Sequence, residues 1–397
     1  MQRPTDQPIF LDHAASAPLD PRVAARMCEC LRDPALQANP SSAHGPGRAA
    51  ATIVAQARAQ VAALIGAEPA AIVFTAGATE SVNLAVLGTA RAAPFGHRHV
   101  VTARTEHRAG LESCRELERE GYELTWLRPG PCGAVSPEQV GAALRPDTAL
   151  VSLLHANNEI GVLQDIAAIA ALCNERGVPL HADAVQSVGR IPVDVNALGV
   201  ALLSFCAHKL GGPKGVGALY VRRRPRPALR PLVFGGGQEA GLRSGTLATH
   251  QLAGFGLACE LAAQELPGEE PRVRALRERL WAGLEPAAPV WRNGAGEPSV
   301  PGILNVCFPG IEGESLLFAL EGRLAAASGS ACSSASAEPS YVLTAIGRSE
   351  LAAQASLRLS LGRGTTAAEV DAAAALLVAA VLRLRRAAPP AASERIA

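Results

Sequence analysis

Five short stretches of this chain end an apolar run on polar side chains able to do chemistry: Gly77-Ala78-Thr79-Glu80, Thr105-Glu106-His107, Asn157-Asn158-Glu159, Asp183 to Gln186, and His208-Lys209. Lys209 closes Ser204-Phe205-Cys206-Ala207-His208 and precedes the turn Gly211-Gly212-Pro213-Lys214-Gly215. Lysine is depleted in apolar surroundings unless it is paired or chemically employed. Desolvated, its amine is nucleophilic and can form a Schiff base; the plainer reading is a surface lysine. Asp183 ends Pro179-Leu180-His181-Ala182. A carboxylate at the buried end of a central strand needs a compensating partner, a protonated pyridine nitrogen being one, unless it only caps the next helix. At Gly77 to Thr79 a helix start would offer backbone N–H groups and a hydroxyl to a phosphate, or be no more than a capped helix.

Cys332 stands apart, within Ser328-Gly329-Ser330-Ala331-Cys332-Ser333-Ser334-Ala335-Ser336. A lone cysteine is usually a small buried hydrophobe. This stretch has no apolar face for a helix or a strand, so an exposed, mobile thiol is expected. Only a thiolate would be nucleophilic there.

The elements that must position these groups are legible as a pattern. Apolar runs at 71–75, 99–102, 150–155, 179–183, 201–206 and 217–221 alternate with helical patterns. That alternation predicts an α/β fold with a mostly parallel sheet covered by helices. In such sheets ligands sit beyond the carboxyl ends of the strands, where the polar turns fall. After Gly256 the pattern changes to longer helices, a Pro/Gly-rich patch at 286–302 and a strand at 303–308. The expected division is a large domain, 16–260, and a smaller one from 1–15 and 261–397 that carries the Cys332 loop at about 326–340. Val370, Ala374, Leu377, Val381 and Leu384, spaced by three and four, form the apolar stripe of a C-terminal helix expected to pack on the smaller domain.

Composition narrows the class. Hydrophobic residues at 48% and charged ones at 18% exclude a disordered chain. Lys+Arg (37) and Asp+Glu (36) nearly cancel, so no global charge points to nucleic acid. Arg222, Arg223, Arg224 and Arg226 read as a solvated strand end, with a protein-docking patch as the other reading. Nine cysteines without zinc-binding spacing read as free thiols in a reducing compartment. No apolar signal core opens the chain, and the late apolar run at 371–383 is too short for a bilayer, so the expected place is the cytoplasm, without membrane contact.

The phrases FTAGATES, TEHRA, HANNEIG, HADAVQSVG, SFCAHKLGGPKGVGALYV, GGGQEAGLRSGTL, SGSACSSASAEPSYVL and SLRLSLGR occur in that order. Together they resemble the cysteine desulfurases of the nitrogen-fixation and iron–sulfur-cluster branch, within the class-V aminotransferases. The resemblance runs from about residue 9 to 385, and the ordered set is specific. It implies the fold type I architecture of pyridoxal-phosphate enzymes, with a smaller α+β C-terminal domain. It also implies conversion of L-cysteine to L-alanine, with sulfur held on Cys332 as a persulfide and passed to a scaffold or sulfur-carrier protein for iron–sulfur assembly or another use.

Residue by residue, Lys209 matches the lysine that binds pyridoxal 5′-phosphate, and Asp183 the aspartate that keeps the ring nitrogen protonated. His107 matches the imidazole stacked on the ring, also able to move protons. Gln186 and Asn158 match positions near the ring oxygen or the bound amino acid. Ala78, Thr79, Cys206 and His208 match the phosphate site, and Thr246 a contact donated across a homodimer. Arg358 matches the arginine that grips the substrate carboxylate, a task suited to a bidentate donor; outside this context it would be a surface ion pair. The chain departs from the family pattern at Cys206, where a serine is common, at Ala17, where a threonine is common, and in a short tail past Arg386. Rival readings are a selenocysteine lyase, another pyridoxal-phosphate lyase or aminotransferase, and a non-catalytic sulfur-relay scaffold.

Overall fold

The computed structural model describes residues 7–294, 298–328 and 338–387. Cys332 and most of the loop expected around it lie outside the described residues. A short strand β1 (Ile9–Phe10) opens the described chain. The central sheet then takes β2 (Ile72–Thr75), β3 (His99–Ala103), β4 (Glu123–Leu127), β5 (Thr148–Leu154), β6 (Leu180–Asp183), β7 (Leu202–Cys206) and β8 (Gly217–Val221). Its order is β2-β8-β7-β6-β5-β3-β4, and β8, antiparallel to both neighbours, is the one strand that breaks the parallel run. β5, β6 and β7 are buried along their whole length, as parallel strands covered on both faces are. β4 is the strand the apolar pattern does not predict. It lies at the sheet edge, Glu123 is exposed and only Leu127 is fully buried.

Polar atoms inside the sheet are paired off. His181 on β6 bridges Ser152 on β5 and Ser204 on β7, 2.8 Å to each hydroxyl. Burial pushes its pKa down to about 3, so it is a neutral cross-strand tie.

The helix Thr249–Gly283 runs 35 residues, through Pro267 and Pro271 and through the expected domain boundary near 260. Leu252, Phe255 and Cys259 pack in the core under the large sheet. Val273, Leu276 and Leu280 pack in a second core with the C-terminal helix Ala367–Ala387 through Val370, Ala374, Leu377 and Val381. Beyond it follow β9 (Trp291–Arg292), β10 (Ile303–Cys307), β11 (Leu324–Ala325), β12 (Ala327–Ser328) and β13 (Ser356–Ser360). The second sheet runs β12-β13-β10-β9 and is antiparallel throughout. The N-terminal segment reaches it through the bridge of Asp12 to Ser360 on β13, while β1 and β11 form a separate two-stranded parallel sheet.

Arg223, Arg224 and Arg226 are exposed after β8. The eight described cysteines are free, with Cys28 and Cys132 exposed and the rest buried. No described helix is long and apolar enough to cross a membrane.

Candidate active site

The site is assembled where β5, β6 and β7 end and the second sheet meets them. Asp183, the last residue of β6, is 5% exposed, and its Oδ1 accepts the N–H of Val185 at 3.1 Å. Burial raises its pKa to about 6, against the pull of that N–H and of the Lys209 charge. Lys209 follows β7 on a short 3₁₀ turn, and its Nζ donates to the carbonyls of Ala14 and Ala15, 2.6 Å each. Gln186 Nε2 donates to the same Ala14 carbonyl at 2.9 Å, while its Oε1 accepts from Arg190. Arg190 also donates to the His13 carbonyl at 2.9 Å. The N-terminal segment therefore carries acceptors for both Lys209 and Gln186. A cavity of about 270 Å³ opens beside Lys209, lined by His13, Ala17, Arg190 and Gly362 among others.

His107 ends the turn after β3 and caps the helix Arg108–Arg119, its Nδ1 accepting the Ala109 N–H at 3.1 Å. Accepting at Nδ1 assigns the ring proton to Nε2. Burial, then the charges of Lys209 and Arg108, lower its pKa to about 4, so the imidazole is neutral near pH 7.

Arg358 on β13 is 2% exposed. Its guanidinium donates to the Asn158 carbonyl at 3.0 Å and to Asp12 at 2.9 Å, while its Nε has no partner among the described residues. Asn158 is itself 5% exposed, and its side-chain Oδ1 is buried without a partner among the described residues.

At the expected phosphate end, Cys206 closes β7 and is 2% exposed. Burial pushes its thiol up to about 11, although the backbone N–H groups of Lys209 and Ala78 point at it. Ala78 begins the helix Ala78–Ala92. Gly217 lets the two turns approach: a Cβ there would sit 2.7 Å from the Gly77 carbonyl carbon and 2.9 Å from the Phe205 oxygen. Thr79 is exposed on the first turn, and His208 is half-buried with its pKa lowered to about 4 by burial and by Lys209, Lys214 and Arg190. Thr246 lies exposed on a loop whose Arg243 pairs with Glu80 at 2.9 Å.

These residues fit pyridoxal phosphate. Asp183 is a buried carboxyl with its pKa raised, Asn158 Oδ1 is a buried acceptor orphaned among the described residues, and Lys209 sits on the turn just past the adjoining strand β7. Among the described residues no group of three or more His, Cys, Asp or Glu is arranged to hold a metal ion. The sequence places Glu106 and Glu159 among the polar strand ends but gives no role to either, nor to Asp12 or Arg190. Both acids stand inside quoted phrases, but their burial has no sequence signal.

Residues 9–373 match the aminotransferase class-V family, and the chain belongs to it. Its sheet and second domain have the fold type I form of the pyridoxal-phosphate enzymes in that family. Over 383 residues the chain is 55% identical to the cysteine desulfurase IscS of Aeromonas hydrophila subsp. hydrophila, covering 96% of this chain and 95% of that one. Among solved structures, a NifS-like protein superposes with a TM-score of 0.87 at 33% identity, covering 96% of this chain and 100% of that one. A structure described as SspA in complex with cysteine gives 0.79 at 37% identity, covering 89% and 98%.

Proposed function

We propose that Lys209, Asp183, His107, Asn158, Arg358 and Cys332 carry the reaction of a pyridoxal-phosphate-dependent cysteine desulfurase. The enzyme class and the cofactor follow from family membership and from the identity to curated cysteine desulfurases. The observation that carries the residue assignment is the placement of Asp183 and Lys209 on neighbouring strand ends, the carboxyl buried and still within the electrostatic reach of the amine.

Bound through Lys209, the cofactor supplies an electron sink for the α-carbon of the substrate. Asp183 holds its charge toward the ring nitrogen. Arg358, braced by Asp12 and the Asn158 carbonyl, receives the substrate carboxylate. The Lys209 amine takes the α-proton, and the neutral His107 imidazole relays protons through Nε2. Cys332, as thiolate, attacks the substrate sulfur. The new S–S bond forms as the substrate C–S bond breaks; the C–S electron pair stays with the carbon skeleton, which is protonated and leaves as alanine. The sulfur remains on Cys332 as a persulfide.

Thr246, exposed on the loop whose Arg243 pairs with Glu80, is proposed to contact the cofactor phosphate of a second copy in a homodimer. A scaffold or sulfur-carrier protein in the cytoplasm is the proposed acceptor, serving iron–sulfur cluster assembly.

The test mixes purified protein with cysteine and follows alanine and sulfide alongside Lys209→Ala and Cys332→Ala. Lys209→Ala loses the absorbance of the covalently held cofactor. Cys332→Ala keeps it and loses desulfuration; full sulfur release by that variant overturns the assignment. A monomer with normal cofactor binding and turnover removes the role of Thr246.

A further inference from the structure

The turn after β5 that supplies Asn158 also holds the chain just downstream of Cys332. Ser340, eight residues past Cys332, donates its hydroxyl to Glu159 Oε2 at 2.5 Å. Both residues are 2% exposed. The next residue, Tyr341, donates its hydroxyl to the carbonyl of Glu106 at 2.8 Å, one position before His107. Ser340 also caps the helix Tyr341–Ala345 by accepting the Leu343 N–H at 3.2 Å. Two consecutive residues are thus pinned to the two turns that present His107 and Asn158.

The Glu159 end of this contact is rigid. Asn157 Oδ1 accepts the N–H of Glu159 at 2.9 Å and of Ile160 at 3.0 Å, and Asn305 donates to the Glu159 carbonyl at 3.2 Å. The preceding carbonyl, that of Asn158, is the one Arg358 holds. Burial raises the Glu159 carboxyl to about 7, while Ser340, Arg358 and Arg108 pull it down. A buried acid this costly to desolvate is used by no step of the mechanism, and its hydroxyl partner stands at the exit of the segment that bears the nucleophile.

We propose that Glu159 is a positioning residue for sulfur transfer: through Ser340 it registers the peptide downstream of Cys332 against Asn158 and Arg358. The proposal rests on the reading that Cys332 accepts the sulfur. Misplacing a reacting group by an ångström costs large factors in rate without touching substrate binding. The contact should therefore govern the transfer step and not the steps before it.

The holoenzyme is mixed with cysteine in a single turnover and read two ways: by the cofactor absorbance change on substrate binding, and by the persulfide on Cys332, trapped by alkylation and weighed by mass spectrometry. In Ser340→Ala the absorbance change keeps its wild-type amplitude and concentration dependence, while persulfide formation slows at least about tenfold. Ser340→Thr, which keeps the hydroxyl, restores the rate to within about threefold. Glu159→Ala slows transfer as Ser340→Ala does, and the double variant is no slower than either single one, because the two act through one contact. Wild-type persulfide formation in Ser340→Ala overturns the proposal, as does an equal loss of both signals, which marks a merely structural contact. No persulfide on Cys332 in the wild-type enzyme, or full alanine formation by Cys332→Ala, instead sinks the Cys332 reading and this proposal with it.

Discussion

Arg358 on β13 donates to the backbone carbonyl of Asn158, 3.0 Å away at the end of β5, and so ties the second sheet to the first at the candidate active site. Its other amino group is paired with Asp12, so the guanidinium is oriented before any carboxylate arrives. Arg358→Lys keeps the charge and loses the planar fork. Losing one charge-assisted hydrogen bond costs about 2 kcal/mol, a rise in KM for cysteine of roughly thirtyfold. Cofactor absorbance is expected to stay unchanged. Steady-state kinetics beside a cofactor titration checks this.

Asp183 has its pKa raised to about 6, first by burial. A protonated ring nitrogen binds the ionised carboxylate, so cofactor affinity is expected to fall as pH drops below about 6. The slope approaches tenfold per pH unit, the limit for one linked proton. Asp183→Asn binds more weakly at pH 8 and loses this dependence. Fluorescence titration of the apoprotein at several pH values decides it; an unchanged slope in the variant removes Asp183 from that role.

Cys206 places a thiol where the backbone N–H groups of Ala78 and Lys209 converge. A thiol donates weakly and a hydroxyl well. Cys206→Ser should tighten cofactor binding by about 1 kcal/mol, roughly fivefold. Equilibrium dialysis measures it, and unchanged or weaker binding would show that the hydroxyl adds nothing at this position.

Gly217 has no room for a methyl group, because a Cβ would meet the Gly77 backbone at 2.7 Å. Gly217→Ala must push the phosphate turn off β8. The expected cost is about 1–3 kcal/mol of stability, with weakened cofactor binding, measured by urea denaturation and by titration. Wild-type behaviour in both would contradict the close approach.

Glu159 is an acid whose folded pKa, about 7, lies above its ordinary 4.5. The folded state then binds its proton more tightly than the unfolded state. Stability from this group is fully present below about pH 4.5 and is lost as pH rises through about 7, by on the order of 3 kcal/mol. Glu159→Gln cannot ionise and should lack that loss. Urea unfolding of the apoprotein between pH 4.5 and 8 compares the two slopes, and parallel slopes refute it.

Much of the large domain was legible because its signals are local. Runs such as Leu202–Cys206 are mostly apolar, Ser204 being tied off by His181, since strands buried on both faces need no polar side, and each ends on a polar turn. β4 escaped for the opposite reason: at the sheet edge it needs no continuous apolar run, and Glu-Leu-Thr-Trp-Leu has none. Proline is disfavoured inside a helix, yet Thr249–Gly283 continues through Pro267 and Pro271, packed against two cores.

The sequence by itself determined the residue types and their order: Lys209, Asp183, His107, Arg358 and Cys332 stand in phrases whose ordered set specifies a class-V aminotransferase of the cysteine desulfurase kind. Tertiary structure alone decided which of them share one environment. Arg358 and Asp12 are 346 positions apart and 2.9 Å apart in space. The same holds for the buried acids. Glu159 became a carboxyl near pH 7 because folding stripped its water, against the opposite pull of Ser340 and Arg358, which folding also brought to it. Desolvation and long-range pairing depend on what the rest of the chain places nearby, and no local pattern of residues records that.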